Sequence, residues 1–258
     1  MSVVVAITGA SSGIGRAAAV AWGKRGARLV LSARNEVALA GVAREVAASG
    51  GQAVCVAGDV TNDAHRRAIV DRAVSAFGAL DVLVNNAGRG YYAPFREIDA
   101  DELESLFALN VIAPMRLTQI ALPAIEKARG TVVMVTSIAG LVAAPRMGAY
   151  SASKFALEAL SMALRAETAA SGVRVVVVRP GPVDTPFRDN SIARGGSAGV
   201  RPAGAKVQTA DAVGEQIVRA ATRGSPVLET SLYVRTVCAV ARMTPGVLRR
   251  VTARMATK

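Results

Sequence analysis

Tyr150 and Lys154 stand four residues apart within a helical pattern, so both side chains project from one face. A free phenol ionises near ~10. A cation one turn away favours the phenolate by about 1–3 units, which brings the group toward the pH range where a proton-transfer residue works best. Thirteen residues before Tyr150, Ser137 ends an apolar run. A hydroxyl placed there can hydrogen-bond a substrate oxygen and hold it against the phenol. A Tyr/Lys pair alone is weak evidence, because such pairs often sit on solvated helix faces. Other chemistries are harder to assemble. His65 is the only histidine, which argues against a His-based triad or a multi-His metal site, and it reads as a surface helix residue. Cys55 and Cys238 lie far apart without metal-ligand spacing and are expected to be reduced, buried thiols. No metal site is expected.

A second set of residues points to a phosphate-bearing ligand. The run Thr8-Gly9-Ala10-Ser11-Ser12-Gly13-Ile14-Gly15 follows a valine-rich strand and opens a helix. Glycines at this spacing let the chain turn tightly and let backbone approach a pyrophosphate, which the helix N-terminus favours electrostatically. The second strand ends Ala33-Arg34. An NAD site needs an acid here for the ribose 2′-hydroxyl. Ala33 offers none, while the Arg34 guanidinium can pair with a 2′-phosphate, so NADP(H) is preferred over NAD(H). Asp59 ends the third strand and either accepts from the adenine amine or serves turn chemistry ahead of Thr61. Asn85-Asn86-Ala87-Gly88 ends the fourth, where Ala87 and Gly88 keep space for a cofactor. The two asparagine amides either tie loops together or touch the ligand. With this turn and Ser137 beside it, the Tyr150–Lys154 pair becomes a strong signal.

The elements that must position these residues are legible as alternation. Apolar runs at 3–7, 28–32, 52–57, 81–85, 131–137, 173–178 and 226–229 read as strands. Helical patterns near 13–26, 36–49, 62–77, 100–128, 148–171 and 209–223 separate them. Continuous runs such as Val175-Val176-Val177-Val178 suit strands buried on both faces. The alternation predicts an α/β, doubly wound parallel sheet of Rossmann type. With 52% apolar residues in 258, one large domain over 1–230 has enough material for its core. Gly26 and Gly172 are expected after helix ends, and Thr61 and Thr209 as caps. The glycine- and proline-rich stretch 186–208 reads as a substrate loop.

These motifs resemble the short-chain dehydrogenase/reductase family over residues 3 to about 230. The resemblance rests on the T-G-x-x-x-G-x-G turn, N-N-A-G, the serine, Y-x-x-x-K, and Pro180-Gly181-Pro182-Val183-Asp184-Thr185. It implies a catalytic tetrad of Asn110, Ser137, Tyr150 and Lys154, with Asn110 holding a water that links Lys154 to solvent. By itself, Asn110 looks like a polar residue inside a helix. The resemblance also implies that Gly9, Ser11, Ser12, Gly13, Ile14, Gly15, Arg34, Asp59, Val60, Asn86, Ala87, Gly88, Tyr150, Lys154, Pro180, Gly181, Val183 and Thr185 line the dinucleotide, with Val183 and Thr185 at the nicotinamide carboxamide. Tyr150 would pass a proton while hydride moves between cofactor and a carbonyl or alcohol. Dimers or tetramers built on the two long helices follow from the same likeness.

The substrate pocket is less legible. Arg89, Tyr91, Tyr92 and Phe95, residues 138–147, and the 186–208 loop are its candidate walls. Leu141, Val142 and Met147 suggest an apolar small molecule, with Arg188, Arg194 and Arg201 as solvated loop charges. Net charge is +12, and residues 225–258 hold six positives against Glu229 alone, +5 of that total. This basic tail, 231–258, places Arg235, Arg242 and Arg249 on one helical face, with a break at Pro245-Gly246. Packing over the domain or another subunit is expected; peripheral membrane contact is the alternative. Nucleic acid is not expected, because aromatics are not interleaved with the charges. The first strand at Val3 leaves no room for a leader, and no uncharged stretch reaches the ~20 residues of a span, so a cytoplasmic protein is expected. A non-catalytic, cofactor-sensing protein is the competing function.

Overall fold

The computed structural model describes residues 2–195 and 206–244, together with 246 and 252. Seven parallel strands form the central sheet: β1 (Val4–Thr8), β2 (Arg28–Ala33), β3 (Gln52–Ala57), β4 (Val82–Asn85), β5 (Thr131–Val135), β6 (Arg174–Arg179) and β7 (Val227–Glu229). Their order is β3-β2-β1-β4-β5-β6-β7. Val5 pairs with Leu29 on one side and Val82 on the other, so β1 is central. The chain runs outward through β2 and β3, then restarts at β4 on the opposite side of β1. This reversal opens a crevice at the carboxyl ends of β1 and β4, where α/β sheets bind ligands.

The helices are α1 (Gly13–Gly23), α2 (Glu36–Ala48), α3 (Asp63–Phe77), α4 (Ala100–Phe107), α5 (Ala113–Ala128), α6 (Gly148–Glu167), α7 (Ala210–Arg223) and α8 (Leu232–Met243). Each face of the sheet carries its own apolar core. One gathers Ile7, Leu29, Leu31 and Val176 under Trp22, Leu39 and Ile217 from α1, α2 and α7. The other gathers Val30, Leu83 and Val132 under Ile69, Leu117 and Leu157 from α3, α5 and α6. Helices α1 and α7 touch closely because Gly214 has no side chain: a Cβ there would lie 2.6 Å from the Ala17 carbonyl carbon.

Several expectations need correction. The helix expected over 100–128 is interrupted by a π turn, Ala108–Ile112, which contains Asn110. Asn62, not Thr61, caps α3, its side chain accepting from Ala64 N at 2.8 Å. Thr209 caps α7 as expected. Cys55 is exposed, because β3 is an edge strand; Cys238 is buried. His65 is half-buried and shares a 2.9 Å hydrogen bond with Ser32 Oγ, so it faces the end of the sheet rather than open solvent. By length and hydropathy alone, Ala100–Ala128 could cross a membrane, but 44% of its most apolar window is buried against the domain. Helix α8 packs inward through Val234 and Cys238, and Arg242 pairs with Glu229 at 2.9 Å. The expected break at Pro245 and the segment holding Arg249, like the 196–205 part of the loop with Arg201, lie outside the described residues.

Candidate active site

The glycine turn is built as a close contact between two loops. Gly9 and Gly13 have φ of +63° and +52°, a region that favours glycine. A Cβ on Gly15 would lie 2.2 Å from the Gly9 carbonyl oxygen. Thr8 Oγ1 accepts from the backbone N–H groups of Asn86 and Ala87 at 3.0 and 3.1 Å. Asn86 Nδ2 donates back to the carbonyls of Thr8 and Gly9 at 2.9 and 3.2 Å, and Asn85 Nδ2 donates to Thr118 Oγ1 at 2.9 Å. Both asparagine amides therefore tie loops together.

The turn leaves the start of α1 without a protein cap. Ser12 makes no side-chain cap bond, and no acid occupies the first turn. Asn35, Asn62, Asp99, Thr209 and Ser231 do cap α2, α3, α4, α7 and α8. Across the crevice, Thr185 faces Gly13, where a Cβ would come within 3.1 Å of its methyl group. Uncapped N–H groups at the positive end of a helix, bordered by Thr185, fit a pyrophosphate. Ser11 is half-buried beside them.

At the neighbouring strand ends, Arg34 is exposed directly after β2. Burial works against ionisation of Asp59, but hydrogen bonds from Thr61 N and Oγ1, both 2.8 Å, outweigh it with help from Arg34 and His65. The net effect holds the carboxyl below its usual range. Asp59 thus performs turn chemistry with one oxygen. Val60 and Ile14 pack into the two cores. Pro180 accepts from Ile138 N at 3.0 Å, and Gly181 passes so close to α8 that a Cβ would meet a Val234 methyl at 2.8 Å. Val183 is half-buried in a two-residue pairing, Val183–Asp184 with Gln208–Thr209. No cluster of three His, Cys, Asp or Glu side chains forms among the described residues.

Asn110 and Lys154 meet beside Gly88, and Lys154 reaches the ring of Tyr150. Ser137 is extended just past β5, its Oγ accepting from Ala139 N at 3.1 Å, and it is close enough to Tyr150 to favour the ionised phenol. Tyr150 is buried against Phe187, ring centroids 5.8 Å apart. Lys154 Nζ lies 5.9 Å from the Tyr150 ring centroid and donates to the Val135 carbonyl at 3.1 Å. Asn110 Nδ2 donates to Arg89 O and Ser153 Oγ at 2.9 and 3.0 Å, and its Oδ1 accepts from Arg89 N at 3.0 Å. A Cβ on Gly88 would lie 3.0 Å from Asn110 Oδ1 and 3.5 Å from Lys154 Nζ, so only glycine leaves these groups adjacent.

The electrostatics correct one expectation. Burial pushes the Tyr150 phenol well above its ordinary value; Ser137 acts against this, and Tyr92 adds to it. Burial also pulls the Lys154 ammonium down to about 8, although Glu158 favours its charged form. The protein's own groups therefore raise the phenol's pKa rather than lower it, and hold Tyr150 protonated. The ammonium points at a backbone carbonyl and cannot offset the desolvation.

The walls around this cluster are apolar: Ala139, Ala149 and Tyr150 pack with Met147, Phe187 and Ile192. Tyr91 is fully buried and structural, donating to Glu102 Oε2 at 2.8 Å and accepting from Asp99 N at 2.9 Å. Tyr91–Tyr92 pairs with Ile192–Ala193, and Arg194 grips Glu102 through bonds of 2.9 and 2.8 Å. Arg194 is thus a latch for the loop rather than a solvated charge. Phe95 points away, 88% exposed.

Sequence reasoning missed the support behind the cluster. Glu158, one turn beyond Lys154, is buried against Arg179, with contacts of 2.7 and 2.9 Å, and accepts from Thr136 Oγ1 at 2.7 Å. A glutamate on the Lys154 face and an arginine ending a valine strand were its only signals.

A family model described as short chain dehydrogenase matches residues 3–194. Dehydrogenase/reductase SDR family member 7B from Mus musculus is 36% identical over 199 residues, 75% of this chain. The match covers 62% of that protein, less than two thirds of its length. Among solved structures, alcohol dehydrogenase from the archaeon Thermococcus sibiricus, complexed with 5-hydroxy-NADP, has a TM-score of 0.78 at 27% identity, covering 88% of this chain and 94% of that one. A short chain dehydrogenase/reductase from Burkholderia phymatum in complex with NAD has a TM-score of 0.82 at 27% identity, covering 93% and 92%.

Proposed function

The chain belongs to the short-chain dehydrogenase family of NAD(P)-dependent oxidoreductases, and from that premise we propose that it couples NADP(H) to a carbonyl or secondary alcohol on a small, largely apolar molecule. The observation that carries this reading is the buried cluster at the carboxyl edge of the sheet: Tyr150 with Lys154 Nζ 5.9 Å from its ring, and Lys154 and Asn110 meeting at Gly88. When bound, the nicotinamide supplies or accepts the hydride. Tyr150 gives its hydroxyl proton to the substrate oxygen in reduction and takes one back in oxidation. Ser137 fixes that oxygen by a hydrogen bond. Lys154 places positive charge behind the phenol, and Asn110, whose side chain fixes the Arg89 backbone, would hold the water that links Lys154 to solvent.

The bare glycine turn and the uncapped start of α1 would hold the pyrophosphate, with Ser11, Ser12 and Thr185 bordering it. Asp59 and Val60 would border the adenine, and Pro180, Gly181 and Val183 the nicotinamide. The choice of NADP(H) rests on Ala33 standing where an acid would select NAD(H), with Arg34 one residue on to pair with a 2′-phosphate, since the two solved relatives carry one dinucleotide of each kind. The apolar walls around Met147 and Phe187 support an apolar substrate. Half-exposed Ile112 and Phe155, with exposed Met162, support a homo-oligomer built on this side of α5 and α6. A cytoplasmic location belongs to the same reading.

The test is a panel of ketones and alcohols assayed with NADPH, NADH and their oxidised forms, repeated with Tyr150→Phe. The expected result is NADP(H)-preferring turnover that Tyr150→Phe abolishes while cofactor binding persists. Unchanged turnover in the variant would remove Tyr150 from the chemistry, and a preference for NADH would remove Arg34 from selection. Sedimentation that found only monomer would refute the oligomer.

A further inference from the structure

At the edge of the sheet opposite the crevice, the amino ends of the central strands surround a cavity of about 290 Å³. Trp22, Arg28, Asp81, Val82, Arg129 and Arg174 are among its walls. The unmet polar groups in these walls are all donors. The indole N–H of Trp22 and the Nε–H of Arg28 are buried without a hydrogen-bond partner. Both are donor-only groups, so only an acceptor can satisfy them. Unmet buried donors are uncommon and costly.

The charges agree with the donor inventory. Backbone carbonyls engage part of the arginine donor set: Arg28 donates to Phe77 O, at the end of α3, and to Ser2 O, both at 3.1 Å, and Arg174 to Thr222 O at 3.4 Å. Asp81, the acid in the wall, is engaged by Val4 N at 2.7 Å. Arg129 has no such partner among the described residues. It is exposed at the rim, held by a left-handed backbone (φ +46°) that ends α5. Its planar fork of donors matches a carboxylate. The rest of the lining is mainly apolar carbon from Trp22, Val82 and neighbouring alanines.

We propose that this cavity is a second ligand site, separate from the dinucleotide crevice, which takes a small organic anion: a carboxylate head at the exposed guanidiniums of Arg129 and Arg174, with an apolar body against Trp22 and Val82. Trp22 is the only tryptophan of the chain, so its emission reports on this cavity directly. The experiment titrates the full chain with cyclohexanecarboxylate at constant ionic strength, with cyclohexanemethanol and inorganic phosphate as probes lacking the charge and the apolar body. The expected result is a saturable change in Trp22 emission with the carboxylate, at least about tenfold weaker with either control. It should also be weakened about tenfold in Arg129→Asn, which keeps a residue tolerant of that φ, and be undiminished by saturating NADPH. A second variant, Arg174→Gln, should weaken it in the same direction. No saturable change, an equal response to the alcohol, or an unaltered response in both variants would overturn the proposal. Phosphate binding as tightly as the carboxylate would overturn the apolar body, and displacement by NADPH would overturn the separateness of the site.

Discussion

Breaking the buried ion pair behind the candidate active site should unfold the protein far more readily than breaking any surface pair. Glu158 and Arg179 have side chains only 6% and 7% exposed, joined by two bonds of 2.7 and 2.9 Å. Removing one partner of such a pair costs about 3–5 kcal/mol, because the other charge stays buried, whereas replacing both by apolar residues is often neutral or stabilising. Glu229, 3.3 Å from Arg179, retains part of the compensation in Glu158→Gln, so the lower end, about 3 kcal/mol, is expected. At a urea slope of about 3 kcal/mol/M, the unfolding midpoint falls by about 1 M. Arg179→Met should cost at least as much, since it leaves Glu158 and Glu229 without their shared cation. Glu158→Leu combined with Arg179→Met should recover most of the loss. Equilibrium urea unfolding of the wild type, the single variants and the double variant measures the coupling. Single losses below about 1 kcal/mol, or a double variant equal to the sum of the singles, would refute the assignment of this pair as a buried, mutually dependent unit.

Further outcomes follow from other parts of the structure. Lys154 has its folded-state pKa pulled from 10.5 to about 8, so between those values the unfolded chain binds more protons and stability rises with pH. The unfolding midpoint of the wild type relative to Lys154→Met should climb across that window, worth about 3 kcal/mol in all; a flat difference would refute the burial of the ammonium. Gly15→Ala forces a Cβ to within 2.2 Å of the Gly9 carbonyl, and a fall in folded yield or a loss of about 3 kcal/mol is expected; wild-type stability would refute the tight turn. Arg34→Ala should reduce the ratio of kcat/KM for NADPH over NADH by about tenfold or more, in line with one charge-assisted contact, and an unchanged ratio would refute the role of Arg34. Arg194→Ala removes the grip on Glu102; proteolysis within the 186–208 stretch should accelerate, and unchanged cleavage would refute the latch.

The amino-acid sequence by itself carried the backbone architecture. A strand buried on both faces must be an unbroken apolar run, so Val175 to Val178 announced β6 without any knowledge of its neighbours. The tight passage from β1 into α1 needs glycine at Gly9 and Gly13 because their φ is positive, and that requirement is local. The four-residue step from Tyr150 to Lys154 is likewise a property of one helix. Tertiary packing decided what those groups experience. Asn110 looked like a misplaced polar residue until the π turn brought it against Arg89 and Ser153. His65 met Ser32, and Arg194 met Glu102, through contacts spanning 33 and 92 positions. The ionisation of Tyr150 moved opposite to the local expectation because desolvation depends on every segment that covers the ring, including Phe187 from a distant loop. Periodicity is written in neighbouring residues, whereas burial and partnership belong to residues that only the folded chain brings together.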